Sequence, residues 1–330
     1  MKTAIITGIT GQDGAYLSRL LLEKNYKVVG VARNLLAGNL NGLNFLNITK
    51  DVELVEANLL DLSNIIRLLE KYDPDEIYNL AAQSSVGLSF DQPIGTLEFN
   101  IISIANILEA VRIVNKDIKV YQSSSSEMYG NVDKKKLPID ESFIIHPASP
   151  YGISKASAHW ISVNYREAYK IFIACGILFN HESVLRRPNF VTKKIISSAL
   201  KIKNGELDYL TVGNTSVQRD WGYVPEYVKV IWKMLNVQDP DDYVVCSGEA
   251  HSLQEFIEKV FITLKLNPVK LVKTDKALFR PVELDVIYGN PSKAKSKLDW
   301  SYQMSFDELI EQLIEDEIKY AEWMKNNKRN

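Results

Sequence analysis

Short apolar runs alternate with longer amphipathic stretches along most of this chain. The apolar runs have the length and composition of buried strands, and they lie at residues 3–7, 27–32, 52–56, 77–80, 118–121, 171–179 and 243–246. Apolar residues recur at helical spacing between them, mainly at residues 15–22, 61–71, 95–114, 150–169 and 227–235. Regular alternation of strands and helices predicts an α/β fold with a doubly wound, mostly parallel sheet. The ligand of such a sheet lies across the C-terminal ends of its strands.

Two further segments complete the predicted architecture. Residues 34–50 are polar and rich in Asn, Gly and Leu, which we interpret as a loop. Residues 306–318 place apolar side chains on one helical face, which predicts an outer packing helix. We expect a Rossmann-type domain in residues 1–180, to which residues 223–248 return. A smaller mixed α/β domain, mainly in residues 181–330, is expected to bind the substrate.

Composition excludes several classes of protein. The chain has 330 residues, of which 46% are hydrophobic and 24% charged, as in an ordinary globular protein. The net charge of −2 provides no basic field for nucleic acid or a membrane surface. We find neither a secretory signal nor an uncharged stretch of membrane length, and expect a cytoplasmic protein. Cys175 and Cys246 lie in apolar runs and are predicted to be buried free thiols, with a disulfide or catalytic thiol as the alternative.

A glycine-rich turn follows the first predicted strand. Gly8, Gly11 and Gly14 have the spacing GxxGxxG between a strand and a helix, which is the context of a nucleotide-binding turn. The first glycine allows a tight turn, the second lets the backbone approach a pyrophosphate, and the third lets the helix pack on the strand. Glycine turns without a ligand are also common, so the triplet predicts a dinucleotide site only together with this context.

The end of the second strand indicates which dinucleotide binds. An NAD site usually has an acidic residue there, which binds the ribose hydroxyls. This chain has Ala32, Arg33 and Asn34 instead. An arginine without an acidic neighbour fits a 2′-phosphate, so we predict NADP. The alternative is that Arg33 is an ordinary surface residue.

Candidate catalytic groups follow the fifth predicted strand. Serines occupy positions 123–126 and precede Glu127, and a predicted helix begins near Tyr151 and carries Lys155. Tyr151 and Lys155 are four residues apart and therefore share a helix face. The ammonium group is expected to lower the pKa of the phenol, which would make Tyr151 an acid and base near neutral pH. These groups together predict proton and hydride transfer on a sugar-like alcohol.

Polar residues after the sixth predicted strand indicate where an anionic ligand binds. We interpret His181 as a scaffold residue or cofactor contact, with a general base as the alternative. Arg186, Lys194 and Arg219 have a spacing consistent with a phosphorylated ligand, although cations also occur on ordinary charged surfaces. A later loop places a cation at position 280 near a carboxylate at position 283.

These motifs carry a resemblance to a known family. The chain resembles the extended short-chain dehydrogenase/reductases and, within them, the GDP-mannose 4,6-dehydratases, over nearly its whole length. The matching stretches include residues 7–14, 123–130 and 149–155. Asn180-His-Glu-Ser183 and Arg219-Asp-Trp-Gly222 are the more specific ones, because the tyrosine–lysine pair occurs throughout the superfamily.

The resemblance implies roles for individual residues. The implied catalytic residues are Ser125, which bridges to the sugar 4-hydroxyl, the acid and base Glu127, the base Tyr151, and Lys155, which positions the nicotinamide ribose. The implied NADP contacts are Gly8, Thr10, Gly11, Gln12, Asp13, Gly14, Arg33, Asn58, Leu59, Leu80, Ala81, Ala82, Ser84, Tyr151, Lys155, Leu178, Asn180, His181 and Arg186. The implied contacts of the GDP-sugar are Ser84, Ser85, Ser125, Ser126, Glu127, Asn180, Lys194, Gly213, Arg219, Arg280 and Glu283. No metal is expected.

The implied activity is a redox-neutral dehydration of a GDP-sugar. Tyr151 takes the 4-hydroxyl proton while hydride passes from C4 to NADP. The C4 ketone acidifies the C5 hydrogen, which Glu127 removes, and water leaves from C6 with the help of the protonated Glu127. Hydride then returns to C6, so NADP(H) is tightly bound and recycled. The product is a 4-keto-6-deoxy sugar joined to GDP.

Some positions depart from the family pattern and widen the range of predicted assemblies and substrates. Asn34 replaces a second arginine, and the loop after it, which helps to form a tetramer in the family, differs; homodimer and homotetramer both stay open. Asn58 replaces an Asp near the adenine. Ser84, Ser85 and Ser126 are small residues expected near the sugar, which makes a GDP-manno-heptose an alternative to GDP-mannose. A GDP-4-keto-6-deoxy-sugar reductase, a nucleotide-sugar epimerase and a non-catalytic nucleotide-binding protein also stay open as functions of this chain.

Overall fold

The computed structural model of the chain describes residues 1–35, 40–279 and 281–327. The strands in these ranges are β1 Thr3–Thr7, β2 Lys27–Ala32, β3 Glu53–Glu56, β4 Glu76–Asn79, β5 Lys119–Ser125, β6 Ile173–Leu178, β7 Asn180–Glu182, β8 Leu210–Val212, β9 Gln218–Arg219, β10 Trp221–Tyr223, β11 Asp242–Val245, β12 His251–Ser252, β13 Val272–Thr274 and β14 Val286–Ile287. The α-helices are α1 Gln12–Glu23, α2 Asn41–Phe45, α3 Leu62–Tyr72, α4 Val86–Asp91, α5 Pro93–Val114, α6 Pro150–Tyr169, α7 Val191–Lys203, α8 Val224–Met234, α9 Leu253–Thr263, α10 Pro268–Leu271, α11 Ser292–Leu298 and α12 Phe306–Asn327. Short 3₁₀ turns lie at Ser126–Tyr129, Lys134–Lys136 and Lys276–Leu278.

Within the described residues, seven strands form one parallel sheet in the order β11-β6-β5-β4-β1-β2-β3. Strand β1 lies inside the sheet, where Ile5 pairs with Val29 on one side and with Ile77 on the other. Because the strands run in the same direction, the C-terminal ends of β1, β4, β5 and β6 meet at one edge. The doubly wound, Rossmann-type sheet predicted from the sequence is confirmed.

Both faces of this sheet are covered by helices. Ala4 and Ile6 belong to the apolar cluster that includes residues of α1 and α8. Ile5 points to the other face and joins the cluster that includes residues of α3, α5 and α6. A sheet that is buried on both faces needs apolar side chains on both sides of each strand. For this reason the strands are continuous apolar runs in the sequence.

A separate apolar cluster lies in the C-terminal part of the chain. Ile195 of α7, Phe256 of α9 and Leu313 of α12 contribute to it. The short strands around it form small sheets with the orders β13-β8 and β12-β9-β14. By contrast, α8 packs on α1, and β11 pairs with β6 at the edge of the main sheet.

The structure differs from the sequence predictions in two connecting segments. The loop predicted for residues 34–50 is wrong for its described second half, because residues 41–45 form helix α2. Leu43 is fully buried there against the core that includes α1, and tertiary packing thus outweighs the polar composition of the segment. Helix α4 was not predicted, and Ser85 caps it by accepting a hydrogen bond from the Leu88 N–H at 3.3 Å.

The structure bears on the predictions for the cysteines and for membrane-spanning segments. Cys175 and Cys246 are buried free thiols, as predicted. Among the helices of residues 1–35, 40–279 and 281–327, none combines the length and the apolar character of a membrane span.

Candidate active site

A cleft of about 520 Å³ lies across the C-terminal ends of the central strands, a size typical of small-molecule sites. The glycine turn, the serines at the end of β5 and the first turns of α6 border it on the side of the main sheet. The C-terminal part of the chain borders it on the other side through Lys194, Gly213, Arg219 and Glu283. Nearly all of the residues expected from the sequence to contact cofactor or sugar therefore share this cleft. Its lining also includes residues that were not predicted, among them Val86, Phe190, Val217 and Trp221.

The glycine turn is shaped so closely that side chains are excluded. Gly8 has a φ of +73°, and a Cβ atom there would lie 2.8 Å from the backbone nitrogen of Ala81. A Cβ atom at Gly14 would lie 2.5 Å from the carbonyl oxygen of Gly8. Gly11 caps α1 without a side-chain hydrogen bond, so the first N–H groups of the helix are available to an anion. This turn fits the pyrophosphate of a dinucleotide.

The loop after β4 is held in place by residues that the sequence predictions missed. The Asn100 side chain accepts a hydrogen bond from the Gln83 N–H at 2.8 Å and donates to the Gln83 carbonyl at 3.1 Å. It also donates to Ser154 Oγ at 2.9 Å, and Ser154 donates to the Tyr151 carbonyl at 2.7 Å. Asn100 thus connects the loop that carries Ala82 with the first turn of α6. In the sequence, the signal for this role is an amide side chain within the largely apolar stretch that forms α5.

The proposed catalytic residues approach each other where β5 ends and α6 begins. Ser125 ends β5, and Glu127 follows in a 3₁₀ turn whose backbone N–H donates to Ser125 Oγ at 3.3 Å. Tyr151 and Lys155 lie on α6 and are 8% and 5% exposed. The Lys155 ammonium group donates to the Ser123 carbonyl at 2.7 Å. The structure therefore brings both hydroxyls, the carboxylate and the amine to one cleft.

Burial dominates the protonation of Tyr151 and Lys155. Desolvation raises the pKa of Tyr151 to about 12, against the hydrogen bond of Ser125, which lowers it. Desolvation lowers the pKa of Lys155 to about 8, against the charge of Asp13, which raises it. The low pKa expected for Tyr151 is therefore wrong for this structure. The physical reason is that Lys155 Nζ is directed to the Ser123 carbonyl, 5.9 Å from the Tyr151 ring centre, and its charge does not outweigh desolvation.

His181 connects helix α1, which follows the glycine turn, with the end of β6. Its Nε2 lies 3.0 Å from a carboxylate oxygen of Asp13, and its Nδ1 lies 2.7 Å from the Phe179 carbonyl. The imidazole also stacks on Tyr227, with ring centres 4.8 Å apart. Burial lowers the pKa of His181, but the Asp13 carboxylate offsets this and leaves the pKa above its usual range. Because both ring nitrogens have partners, the geometry favours a scaffold over a general base.

Cations from the C-terminal part of the chain border the far side of the cleft. Lys194 Nζ donates to the Thr211 carbonyl at 2.7 Å. Arg219 is buried and donates to the Leu284 carbonyl at 2.7 Å. The Arg186 guanidinium lies 3.9 Å from the Phe190 ring centre. Arg280, also expected at the sugar, lies outside the described residues.

Three of the predicted NADP contacts, Arg33, Asn58 and Leu59, do not line the cleft. Arg33 follows the end of β2, is exposed, and lies 5.0 Å from the ring centre of Phe99. Asn58 is exposed, and its side chain accepts a hydrogen bond from the Leu60 N–H at 3.1 Å. Leu59 packs its side chain into the core, and its carbonyl accepts a hydrogen bond from Asn106 at 3.0 Å.

Proteins of similar sequence share one description, and a protein of similar fold is also a dehydratase. A family model described as GDP-mannose 4,6 dehydratase matches residues 5–313. The chain is 43% identical to GDP-mannose 4,6 dehydratase 1 of Arabidopsis thaliana, over 97% of this chain and 91% of that protein. It is 39% identical to the GDP-mannose 4,6 dehydratase of Homo sapiens, over 96% of this chain and 92% of that one. Its fold is similar to that of a dTDP-glucose 4,6-dehydratase from Bacillus anthracis in complex with NAD, with a TM-score of 0.85, 22% identity and 99% of each chain covered.

Proposed function

Because this chain belongs to the GDP-mannose 4,6-dehydratase family, we propose that it removes water from a GDP-sugar and forms a 4-keto-6-deoxy sugar that is still joined to GDP. One observation carries the proposal: Ser125, Glu127, Tyr151 and Lys155 border the same cleft as the glycine turn. The proposal assigns the cofactor to residues 1–180 and 223–248, and the nucleotide sugar mainly to residues 181–330.

The chain's own residues account for the proton transfers of this reaction. NADP bound at the glycine turn would supply a hydride acceptor for C4 oxidation and a hydride donor for reduction at C6. Burial raises the pKa of Tyr151 to about 12, so the positive charge of a bound nicotinamide would be needed to lower this pKa and let Tyr151 take the 4-hydroxyl proton. Glu127 removes the C5 proton, which the neighbouring C4 ketone has acidified, and then protonates the hydroxyl group that leaves C6. One carboxylate therefore acts first as base and then as acid.

The choice of NADP over NAD rests on Arg33. This side chain follows β2 directly, where dinucleotide-binding folds contact the adenosine ribose. Its guanidinium group is exposed and is the charge that a 2′-phosphate needs for charge-assisted hydrogen bonds. The shape of the glycine turn supports a dinucleotide of either kind, so Arg33 alone supports the preference.

The sugar is proposed to be mannose or a manno-heptose. Ser84, Ser85 and Ser126 line the cleft near the proposed catalytic residues, and their small side chains leave room for a substituent beyond C6. Mass spectrometry of products from a panel of GDP-hexoses and GDP-heptoses distinguishes these substrates.

The same cleft is compatible with a reductase or an epimerase, and one experiment separates the three. The purified protein is incubated with GDP-mannose and catalytic NADP, without added reductant, and the products are analysed by mass spectrometry. A dehydratase forms a product 18 mass units lighter, a loss of one water. A reductase needs stoichiometric NADPH, and an epimerase leaves the mass unchanged. The Glu127→Gln variant should fold and bind NADP but lose most turnover, and a near-normal rate in this variant would remove Glu127 from the mechanism.

We also propose a homo-oligomer that assembles through α5 and α6. These two helices pack side by side, and their outer surface exposes apolar residues, including Ile113 (52%) and Trp160 (56%). Ile94, Ile102 and Ile153 on the same helices are exposed as well. Exposed apolar side chains on two neighbouring helices are typical of a protein–protein interface, and a two-fold axis would place the same helices of a second copy against them.

A further inference from the structure

A buried histidine on the catalytic helix has no part in the mechanism above. His159 follows Tyr151 and Lys155 on α6 at four-residue spacing, so the three side chains lie along one side of the helix. His159 is only 4% exposed. A buried imidazole needs partners for its two nitrogens, since an unpaired polar group costs about 1–3 kcal/mol.

Three consecutive residues of β5 meet this side of α6. Lys155 Nζ donates to the Ser123 carbonyl at 2.7 Å. Ser125 hydrogen-bonds with Tyr151 and thereby lowers the pKa of the phenol. The hydroxyl between them, Ser124 Oγ, lies 3.0 Å from Nδ1 of the imidazole. Along β5, the residue that His159 contacts, Ser124, thus lies between Ser123, which binds Lys155, and Ser125, which binds Tyr151.

A carboxylate lies at the opposite edge of the imidazole. Asp242, at the start of β11, has an oxygen 3.7 Å from His159 Nε2. Arg166, seven residues further along α6, donates to both oxygens of Asp242 at 2.8 and 3.1 Å. The same guanidinium donates to the Ile173 carbonyl of β6 at 3.1 Å. The network therefore joins α6 to β5, β6 and β11.

The charges around His159 determine its tautomer. The titratable groups that face it are Asp242, Arg166 and Cys175, and Asp242 is the anion among them. Burial lowers the pKa of His159, so the ring is neutral at neutral pH. A hydrogen on Nε2 is stabilised by the carboxylate, which leaves Nδ1 as the acceptor for the Ser124 hydroxyl.

His159, Cys175 and Asp242 lie close enough to hold a metal ion, but the Arg166 guanidinium already occupies both carboxylate oxygens.

We propose that His159 is a positioning residue: with Asp242 near its other nitrogen, it binds Ser124 and fixes the position of α6 along β5, so that Tyr151 and Lys155 meet Ser125 and the Ser123 carbonyl. This inference rests on the proposed function. Replacement of His159 by an apolar residue would remove the hydrogen bond between Ser124 and the imidazole and let α6 shift. A shift of an ångström at reacting groups reduces turnover by about a hundredfold.

Kinetics of three variants test the positioning role. His159→Leu should lower kcat by about tenfold or more, with KM for GDP-mannose changed by less than about twofold. His159→Asn retains an acceptor near the position of Nδ1 and should stay within about threefold of the wild-type kcat. Ser162→Ala is the matched control, because it removes another buried hydrogen bond of α6, from Ser162 Oγ to the Ala158 carbonyl at 2.8 Å, away from the cleft. A His159→Leu enzyme with the wild-type kcat per folded molecule would overturn the inference.

The tautomer gives a second readout that needs no turnover. The chain has four histidines, so selective ¹⁵N-histidine labelling yields a simple spectrum. We expect His159 to be neutral with its hydrogen on Nε2 at pH 7, and a hydrogen on Nδ1 or an imidazolium would overturn the proposal. If His159→Leu does not fold, Ser124→Ala removes the same contact with almost no change in volume and should show the same loss of kcat. A wild-type protein that is inactive on every GDP-sugar would instead contradict the proposed function, and the spectrum would still decide the inference.

Discussion

Gly152 lies so close to Glu127 that a Cβ atom at position 152 would be 2.7 Å from the Glu127 carbonyl oxygen. The first turn of α6 and the 3₁₀ turn that carries the proposed acid and base are thus in backbone contact. Ser149 stabilises this helix start by accepting a hydrogen bond from the Gly152 N–H at 3.0 Å. The distance between Tyr151 and Glu127 is therefore controlled by a contact that only glycine permits.

The first prediction concerns this contact. Gly152→Ala should move α6 away from the Glu127 turn, lower kcat by about tenfold or more and destabilise the fold by about 1–3 kcal/mol. Gly95→Ala in α5 is the control, because a Cβ atom at Gly95 meets no atom within 4 Å. The control should gain roughly 0.5–1 kcal/mol of stability, since alanine is the better helix former. Turnover assays and thermal unfolding measure kcat and stability of both variants. The same kcat and stability in Gly152→Ala and Gly95→Ala would show that the close approach of Gly152 to Glu127 has no effect.

Lys155 is predicted to reduce the stability of the fold at neutral pH. Burial lowers its pKa from 10.5 to about 8, so the folded state binds the proton less tightly than the unfolded state does. This cost is fully present below pH 8 and disappears as the pH rises from 8 to 10.5. The buried ammonium lowers the free energy of unfolding by roughly 3 kcal/mol, and its hydrogen bond to the Ser123 carbonyl offsets about 1 kcal/mol of this loss.

Lys155→Met should therefore be more stable than the wild type by about 2 kcal/mol at pH 7, while it loses turnover. The difference should shrink towards pH 10.5. Lys203→Met, at an exposed position in the last turn of α7, should stay within about 0.5 kcal/mol of the wild type. Urea unfolding at pH 7 and pH 10 measures these differences. A Lys155→Met protein less stable than the wild type at pH 7 would show that the buried ammonium does not lower the free energy of unfolding.

Arg33 is predicted to determine the cofactor preference. Arg33→Asp removes the partner of a 2′-phosphate and introduces a carboxylate that can bind the ribose hydroxyls. The ratio of the NADP and NAD affinities should fall by about tenfold or more, since hydrogen bonds to charged groups contribute about 1.5–3 kcal/mol. Titration of the purified protein with each cofactor measures the ratio. Arg67→Asp on α3 makes the same change of charge at an exposed position and should leave the ratio unchanged, and an equal ratio in both variants would assign Arg33 to the ordinary surface.

The exposed apolar surface of α5 and α6 is predicted to hold the oligomer together. Trp160→Glu would bury a carboxylate in that interface and should convert the protein to monomers, as measured by light scattering at micromolar concentration. Ile262→Glu on α9 is the control, because Ile262 is 64% exposed but lies on another helix. An unchanged mass for Trp160→Glu would place the interface elsewhere.

Local sequence patterns predicted much of this molecule, because their causes are local. Short apolar runs predicted the seven strands of the main sheet, since a strand that is buried on both faces needs apolar side chains at successive positions. Gly8 and Gly14 were recognised because a strand–turn–helix connection excludes a Cβ atom at those positions. Tyr151 and Lys155 were expected on one helix face from their spacing alone.

Tertiary structure decided what depends on groups far apart in the chain. The pKa of Tyr151 is raised by burial, which no spacing of residues reveals, and the expectation of a lowered value was therefore wrong. Helix α2 forms because Leu43 is buried in the core, although the composition of its segment is that of a loop. His159 and Asp242 are more than eighty positions apart in sequence, and only the pairing of β11 beside β6 brings them together. By itself the sequence determined the sheet and the glycine turn and predicted which side chains share the cleft, whereas the protonation and mutual position of these side chains follow from desolvation and long-range packing.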